Sequence, residues 1–127
     1  MNGIDFCADT NFAVYHLIGH ACVQPYATAV LAVPVVTQLE LLSKPNMTLA
    51  EVAAAELFLE TCEVLELTVP LKTLVIALRR RYRLELPDAI VAATAQWLEV
   101  PLLTADKVFT RISGLDVVLV DPAQTAK

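Results

Sequence analysis

Short apolar runs of strand length alternate along this chain with longer segments of helical periodicity, and this alternation constrains the fold most. The apolar runs fall at residues 4–8, 32–36, 64–67, 101–104 and 116–120. Runs without polar alternation are typical of strands buried on both faces of a parallel sheet. Because helical segments separate them, the sequence predicts an α/β fold with a central, mostly parallel sheet flanked by helices.

Helices are predicted over residues 11–18, 37–42, 48–62, 70–82 and 88–98, with a short one over residues 106–112. Thr48 and Glu51 have the spacing of a capping box at the start of one helix. Pro70 and Pro87 are placed where proline opens a helix. The length of 127 residues suits one core, so we expect a single domain over residues 1–127.

The composition is apolar, yet it does not predict a membrane protein. Hydrophobic residues make up 57% of the chain, which excludes a disordered protein. The most apolar stretches, residues 27–42 and 89–103, are interrupted by polar residues and proline, and a span needs roughly 20 apolar residues. Asp5 and Asp9 lie where a signal peptide would be apolar. The three cysteines form no CxxC pair and are typical of reduced thiols, so we expect a cytoplasmic protein.

Four acidic residues stand at the ends of predicted strands or at a helix start. Asp9, Glu40 and Asp106 each follow a strand, and Asp88 begins a helix. Each alone could be a helix-capping acid, and Thr37 with Glu40 fits a capping box. However, the carboxyl ends of parallel strands meet at one edge of a sheet, where open α/β sheets place their sites. We therefore expect the four carboxylates to converge there.

Such a cluster of carboxylates predicts a divalent cation, because unpaired acids at close range repel one another. Oxygen ligands without histidine or cysteine favour Mg²⁺ or Mn²⁺ over zinc. One or two such ions activate a water and stabilise charge on a scissile phosphate, so the chemistry indicated is phosphodiester hydrolysis. The net charge of −5 argues against indiscriminate nucleic-acid binding, but it is compatible with a nuclease whose acids bind cations.

Four sequence motifs carry a resemblance to a known family. They are ADTN at residues 8–11, TQLELL at 37–42, LPDAIVAATA at 86–95 and PLLTADKVF at 101–109. In these motifs and their order the chain resembles the PIN-domain family, and more narrowly the VapC-type toxins of type II toxin–antitoxin systems. The resemblance covers almost the whole chain.

The resemblance implies a Mg²⁺- or Mn²⁺-dependent endoribonuclease that forms a homodimer and is inhibited by a cognate antitoxin protein. It implies that the catalytic, metal-binding acids are Asp9, Glu40, Asp88 and Asp106. Thr10 and Thr104 would be hydroxyls that orient Asp9 and Asp106 or a metal-bound water, and Asn11 would assist them. The RNA target stays open among transfer, ribosomal and messenger RNA.

Two further groups of residues have competing interpretations. Four of the nine basic residues are clustered before Asp88, at Arg79, Arg80, Arg81 and Arg83. They are either an RNA-phosphate contact or a solvated, basic end of a helix, and placement near the acids would favour the former. His16 and His20 have a spacing compatible with zinc, but no third ligand is apparent.

Three other functions compete with a toxin nuclease. One is a non-catalytic binding module on a PIN-like fold, against which the complete acid set argues. Another is a PIN nuclease of RNA processing outside a toxin–antitoxin system. The third is a phosphatase or a phosphoryl-accepting receiver domain, but Asn11 stands where such phosphatases carry a second aspartate, and no lysine occupies a convincing receiver position.

Overall fold

A five-stranded parallel sheet runs through the centre of the computed structural model, which describes residues 2–123. The strands are β1 (Phe6–Ala8), β2 (Leu31–Pro34), β3 (Glu63–Leu65), β4 (Leu102–Thr104) and β5 (Val117–Leu119). Their order in the sheet is β3-β2-β1-β4-β5, and every pairing is parallel. The predicted α/β class with a parallel sheet is confirmed.

Helices cover both faces of this sheet. They are α1 (Thr10–Leu17), α2 (Val35–Leu42), α3 (Leu49–Glu60), α4 (Val69–Tyr82) and α5 (Leu86–Leu98). Two 3₁₀ helices, at Ala21–Tyr26 and Lys107–Arg111, complete the regular structure of the described residues. The predicted capping box of Thr48 and Glu51 is present at the start of α3.

The core consists of two layers because successive strand residues point to opposite faces of the sheet. Cys7 of β1 and Leu102 of β4 pack with buried residues of α4 and α5. Ala8 and Leu103, the next residue of each strand, pack with buried residues of α1, α2 and α3. The central strands β1, β2 and β4 are therefore largely buried on both sides, whereas the edge strands β3 and β5 are only partly buried.

The predicted ends of strands and helices differ from the observed ones by at most two residues. The difference that matters most concerns Val35 and Val36, which were predicted in a strand but open α2. Pro34 keeps an extended backbone, at φ −70° and ψ 155°, and the helix starts directly after it. The 3₁₀ helix at Ala21–Tyr26 was not predicted, and the short helix predicted over residues 106–112 is also of the 3₁₀ kind.

Cys7 and Cys22 are buried, Cys62 is partly buried, and none of the three forms a disulfide. Burial raises the pKa of all three thiols above its ordinary value. Between residues 2 and 123 there is no helix with the length and apolar character that crossing a membrane requires.

Truncating a leucine at the centre of the sheet should distinguish core from surface. Leu102 is 0% exposed, so Leu102→Ala should lower the free energy of unfolding by about 2–5 kcal/mol, measured by urea denaturation. The matched control is Leu49→Ala, because Leu49 is 91% exposed and its truncation should change stability by less than about 0.5 kcal/mol. Similar losses in the two variants would contradict this assignment of the core.

Candidate active site

Four acids line a single cleft of about 160 Å³ at the carboxyl edge of the sheet. The remaining lining residues are Thr10, Asn11, Pro87 and Val91. The strand order reverses direction between β1 and β4, since the chain builds β2 and β3 on one side of β1 and then crosses to the other. Open α/β sheets bind ligands at this switch point, and Asp9 and Asp106 follow the two strands that form it.

Asp9 is the most buried of the four acids, at 6% exposed. Its Oδ1 accepts a hydrogen bond from the backbone N–H of Phe12 at 2.8 Å, which caps α1. Its Oδ2 accepts from the Thr104 hydroxyl at 2.5 Å. Burial raises the pKa of Asp9, and the nearby carboxylates add to this, although the two hydrogen bonds act in the opposite direction.

Asp106 is linked to Asp9 through the same threonine. The Thr104 hydroxyl donates to Asp9 and accepts from the backbone N–H of Asp106 at 3.0 Å. Asp106 Oδ1 in turn accepts from the N–H of Val108 at 2.9 Å and caps the 3₁₀ helix. Capping and a role in the cleft are therefore compatible, since each carboxylate has two oxygens with about four acceptor positions.

Glu40 is held by a pair of threonines. The Thr10 hydroxyl donates to Glu40 Oε1 at 2.6 Å and lies 3.1 Å from the hydroxyl of Thr37. The capping box considered for Thr37 and Glu40 is wrong, because α2 begins at Val35 and Thr37 is buried inside its first turn. The expected partner of Thr10 also differs, since its hydroxyl contacts Glu40 and not Asp9.

Thr37 is a site residue that the sequence analysis missed. Its fully buried side chain supports Thr10, which in turn contacts Glu40. Thr37 and Glu40 are three positions apart, which places them on the same side of a helix. That spacing was the available signal, and the misplaced start of α2 led to its interpretation as a cap.

Asp88 comes from the first turn of α5 and is partly buried. Burial raises its pKa most, and the carboxylates of Asp106, Glu85 and Glu40 raise it further. The cleft thus concentrates negative charge that the described side chains only partly compensate by hydrogen bonds.

Asn11 is exposed at the cleft surface, where its amide can donate to an anion.

The donor set suits a hard divalent cation bound partly through water. Among residues 2–123, no three His, Cys, Asp or Glu side chains lie close enough to hold a metal ion as a ready-made cage. Mg²⁺ in proteins keeps several waters and is often bound through only one or two carboxylates, so an ion of this kind does not require such a cage.

The other candidate residues lie outside this cleft. Arg79, Arg80 and Arg83 line a separate groove, whereas the Arg81 guanidinium stacks on the ring of Tyr82, 5.3 Å from its centroid. The two histidines have separate surroundings. His16 packs on Phe58 at 4.8 Å between ring centroids, and His20 Nδ1 accepts from the N–H of Cys22 at 3.1 Å. Within residues 2–123, neither histidine belongs to a group of three potential zinc ligands.

Comparison with known protein families decides the classification. The PIN-domain family model matches residues 6–115, a segment that contains all four acids of the cleft. The chain belongs to the PIN-domain family. A comparison of this PIN domain with curated protein sequences finds no significant match.

Solved structures similar to this PIN domain include chains of toxin–antitoxin complexes. A chain of a Klebsiella pneumoniae toxin–antitoxin complex is 26% identical, with a TM-score of 0.79, over 94% of this chain and 99% of that one. A chain of VapBC2 from Rickettsia felis, bound to a promoter DNA fragment, is 20% identical with a TM-score of 0.79, over 93% and 100% of the two chains. A chain of DNA-bound VapBC from Salmonella typhimurium is 19% identical with a TM-score of 0.77, over 91% and 97%. The predicted resemblance to the VapC type is thus also found in the fold.

Removing the Thr104 hydroxyl should destabilise the cleft. Thr104→Val leaves Asp9 Oδ2 without its donor, so we expect a loss of about 1–3 kcal/mol in the free energy of unfolding. The pKa of Asp9 should rise further, because a hydrogen bond that lowers it is gone. Urea denaturation and NMR titration of the side-chain carboxyl measure both effects. Thr110→Val, which removes an exposed hydroxyl, is the control; an unchanged Asp9 pKa in Thr104→Val would count against this role.

Neutralising Asp88 should stabilise the metal-free protein at neutral pH, by up to about 1 kcal/mol since partial exposure screens the repulsion. A raised pKa means that the folded state binds this proton more tightly than the unfolded state. The wild type therefore gains stability as the pH falls through the raised pKa, and the advantage of Asp88→Asn should disappear there. Thermal unfolding at several pH values tests this, with exposed Glu56→Gln on α3 as control. Destabilisation of Asp88→Asn relative to that control at neutral pH would contradict the repulsion.

Proposed function

We propose that this chain, as a single PIN domain over residues 1–127, is a metal-dependent endoribonuclease that acts as the toxin of a toxin–antitoxin pair. The observation that supports it most is the shared cleft of Asp9, Glu40, Asp88 and Asp106 at the switch point of the sheet. Membership of the PIN family makes hydrolysis of a phosphodiester bond the reaction for which this cleft is suited.

In this proposal Mg²⁺ or Mn²⁺ would be bound directly by one or two of the four carboxylates and through water by the others. Such an ion would lower the pKa of a bound water and would stabilise charge on the scissile phosphate and the leaving oxygen. Thr104 fixes the orientation of Asp9, and Thr10 fixes that of Glu40, so that both carboxylates are oriented before substrate binds. Asn11 donates its amide hydrogens to a phosphate oxygen at the cleft surface.

Partner proteins are a second part of the proposal. The Klebsiella pneumoniae structure, over nearly the full length of both chains, is a toxin–antitoxin complex, which supports a cognate antitoxin here. A homodimer is also part of the proposal, and Leu57 on α3 and Trp97 on α5, exposed at 65% and 51%, are apolar side chains that a homodimer or antitoxin contact would cover. A cytoplasmic location follows from an intracellular RNA substrate.

The proposed ribonuclease activity is tested by measuring RNA cleavage with and without divalent ions. The intact chain and Glu56→Gln should cleave a mixed RNA pool with Mg²⁺ or Mn²⁺, and a chelator should abolish this. Asp88→Asn should reduce the rate by at least about 100-fold, because it removes a charged ligand without filling the cleft.

A parallel measurement separates the alternatives. Mn²⁺ should raise the melting temperature of the intact chain more than that of Asp88→Asn. Equal cleavage by all three proteins would refute the mechanism. A chain that neither cleaves RNA nor responds to any divalent ion would instead be a non-catalytic binding module.

A further inference from the structure

A second cavity, of about 550 Å³, extends to the start of α5 and is lined by more positive than negative side chains. Arg79 and Arg80, at the end of α4, and Arg83, in the turn after it, line this cavity, which we call the arginine groove. Glu85 is the one acidic residue that lines it, so three guanidiniums face one carboxylate. In a chain with a net charge of −5, this is a local surface suited to an anion.

The arginine groove and the acidic cleft are both lined by residues from the start of α5. Leu86 lines the groove, and the next residue, Pro87, lines the cleft together with Asp88. Consecutive Cα atoms are about 3.8 Å apart, so the linings of the two cavities are adjacent along the chain at this turn. A strand that reached from one cavity to the other would cross the first turn of α5.

The four arginines are not equivalent. Arg79 Nε donates to the carbonyl of Leu84 at 3.3 Å, which uses part of its guanidinium to hold the turn between α4 and α5. Arg81 is outside the groove lining and stacks on Tyr82, whose hydroxyl accepts from the N–H of Ser113. All three groove arginines are exposed, but Arg79 commits its Nε–H to the turn, so Arg80 and Arg83 are the two that can offer a complete guanidinium to a ligand.

The shape of the turn explains why Arg83 belongs to the groove. Arg83 ends α4 in the left-handed conformation, at φ 55°, and thereby departs from the helical path of Arg79 to Tyr82. Leu84 is then buried, which fixes the turn against the core. The position of Arg83 beside α5 is therefore set by the backbone and does not depend on side-chain flexibility alone.

We propose that Arg80 and Arg83 bind backbone phosphates of the RNA strand next to the scissile bond, with Arg79 as the positioning residue that holds their turn. This inference rests on the proposed ribonuclease function and adds the route by which substrate reaches the cleft. Guanidinium groups match phosphate oxygens as two-pronged donors, and four carboxylates in the cleft would repel the same strand without this attraction. Exposed Ile76 and Leu86 provide apolar surface for the ribose and bases between phosphates.

The test compares groove and non-groove arginines in RNA binding. Binding of a short single-stranded RNA is measured in the Asp88→Asn chain with Mg²⁺, so that cleavage does not interfere. Arg80→Gln and Arg83→Gln should each weaken binding roughly 5- to 10-fold, and the double variant should flatten the slope of log K against log salt by about 1.4, or 0.7 per phosphate contact. Arg81→Gln removes the same charge from the same helix and should leave both quantities near the parent values.

A second readout excludes a merely structural effect. With Asp88 intact, the Arg80→Gln/Arg83→Gln chain should raise KM for RNA with kcat nearly unchanged, because contacts remote from the reacting phosphate bind ground and transition states alike. Its melting temperature should match that of Arg81→Gln. Glutamine keeps a comparable side chain at Arg83, so the left-handed backbone there is not newly strained.

The outcomes separate this inference from the nuclease proposal. If the groove variants bind RNA as Arg81→Gln does while the intact chain still cleaves RNA, the groove inference is wrong and the nuclease stands. If the groove variants retain RNA binding but lose self-association in size-exclusion chromatography, the groove is a protein interface and the inference is equally wrong. If the intact chain neither binds nor cleaves RNA, both proposals fail together.

Discussion

The hydrogen bond between Asp9 and Thr104 is the interaction on which the cleft depends. It joins residues 95 positions apart in the chain, at the ends of the two strands where the sheet changes direction. Asp9 is buried, and a buried carboxylate without partners is costly, so the threonine hydroxyl and the N–H of Phe12 make its position tenable. Because the same hydroxyl accepts from the N–H of Asp106, one small side chain aligns both walls of the cleft.

Apart from these hydrogen bonds, the interactions between the charged carboxylates of the cleft disfavour folding. The pKa values of Asp9 and Asp88 are both raised by burial first and by neighbouring acids second, which means that the folded state disfavours their charged forms. Asp9 and Asp106 cap helices, but the close approach of all four acids adds nothing to these caps and brings only repulsion. It is the kind of local destabilisation that sites retain for function.

Most of this arrangement could be predicted from sequence, because its cause is local. Short apolar runs between helical segments indicate parallel strands, and the acids after β1 and β4 are then expected at one edge of the sheet without any knowledge of packing. Contacts between side chains could not be predicted in the same way. The partner of Thr10 is Glu40 because α1 and α2 pack side by side, and the supporting role of Thr37 depends on where α2 begins. The sequence also could not show which of the four arginines line the groove, since this depends on the left-handed turn at Arg83.

The direct passage from β2 into α2 limits how this part of the chain can change in length. Glu40 is the sixth residue of a helix that starts immediately after Pro34, with no loop to absorb an extra residue. Each inserted residue would rotate the rest of the helix by about 100°, and a single insertion would turn Glu40 away from Thr10. The segment between α2 and α3, by contrast, is exposed at most positions and none of its residues lines the cleft, so insertions there would leave the geometry of the acids intact. Length variation in this chain is therefore tolerated on one side of α2 and excluded on the other.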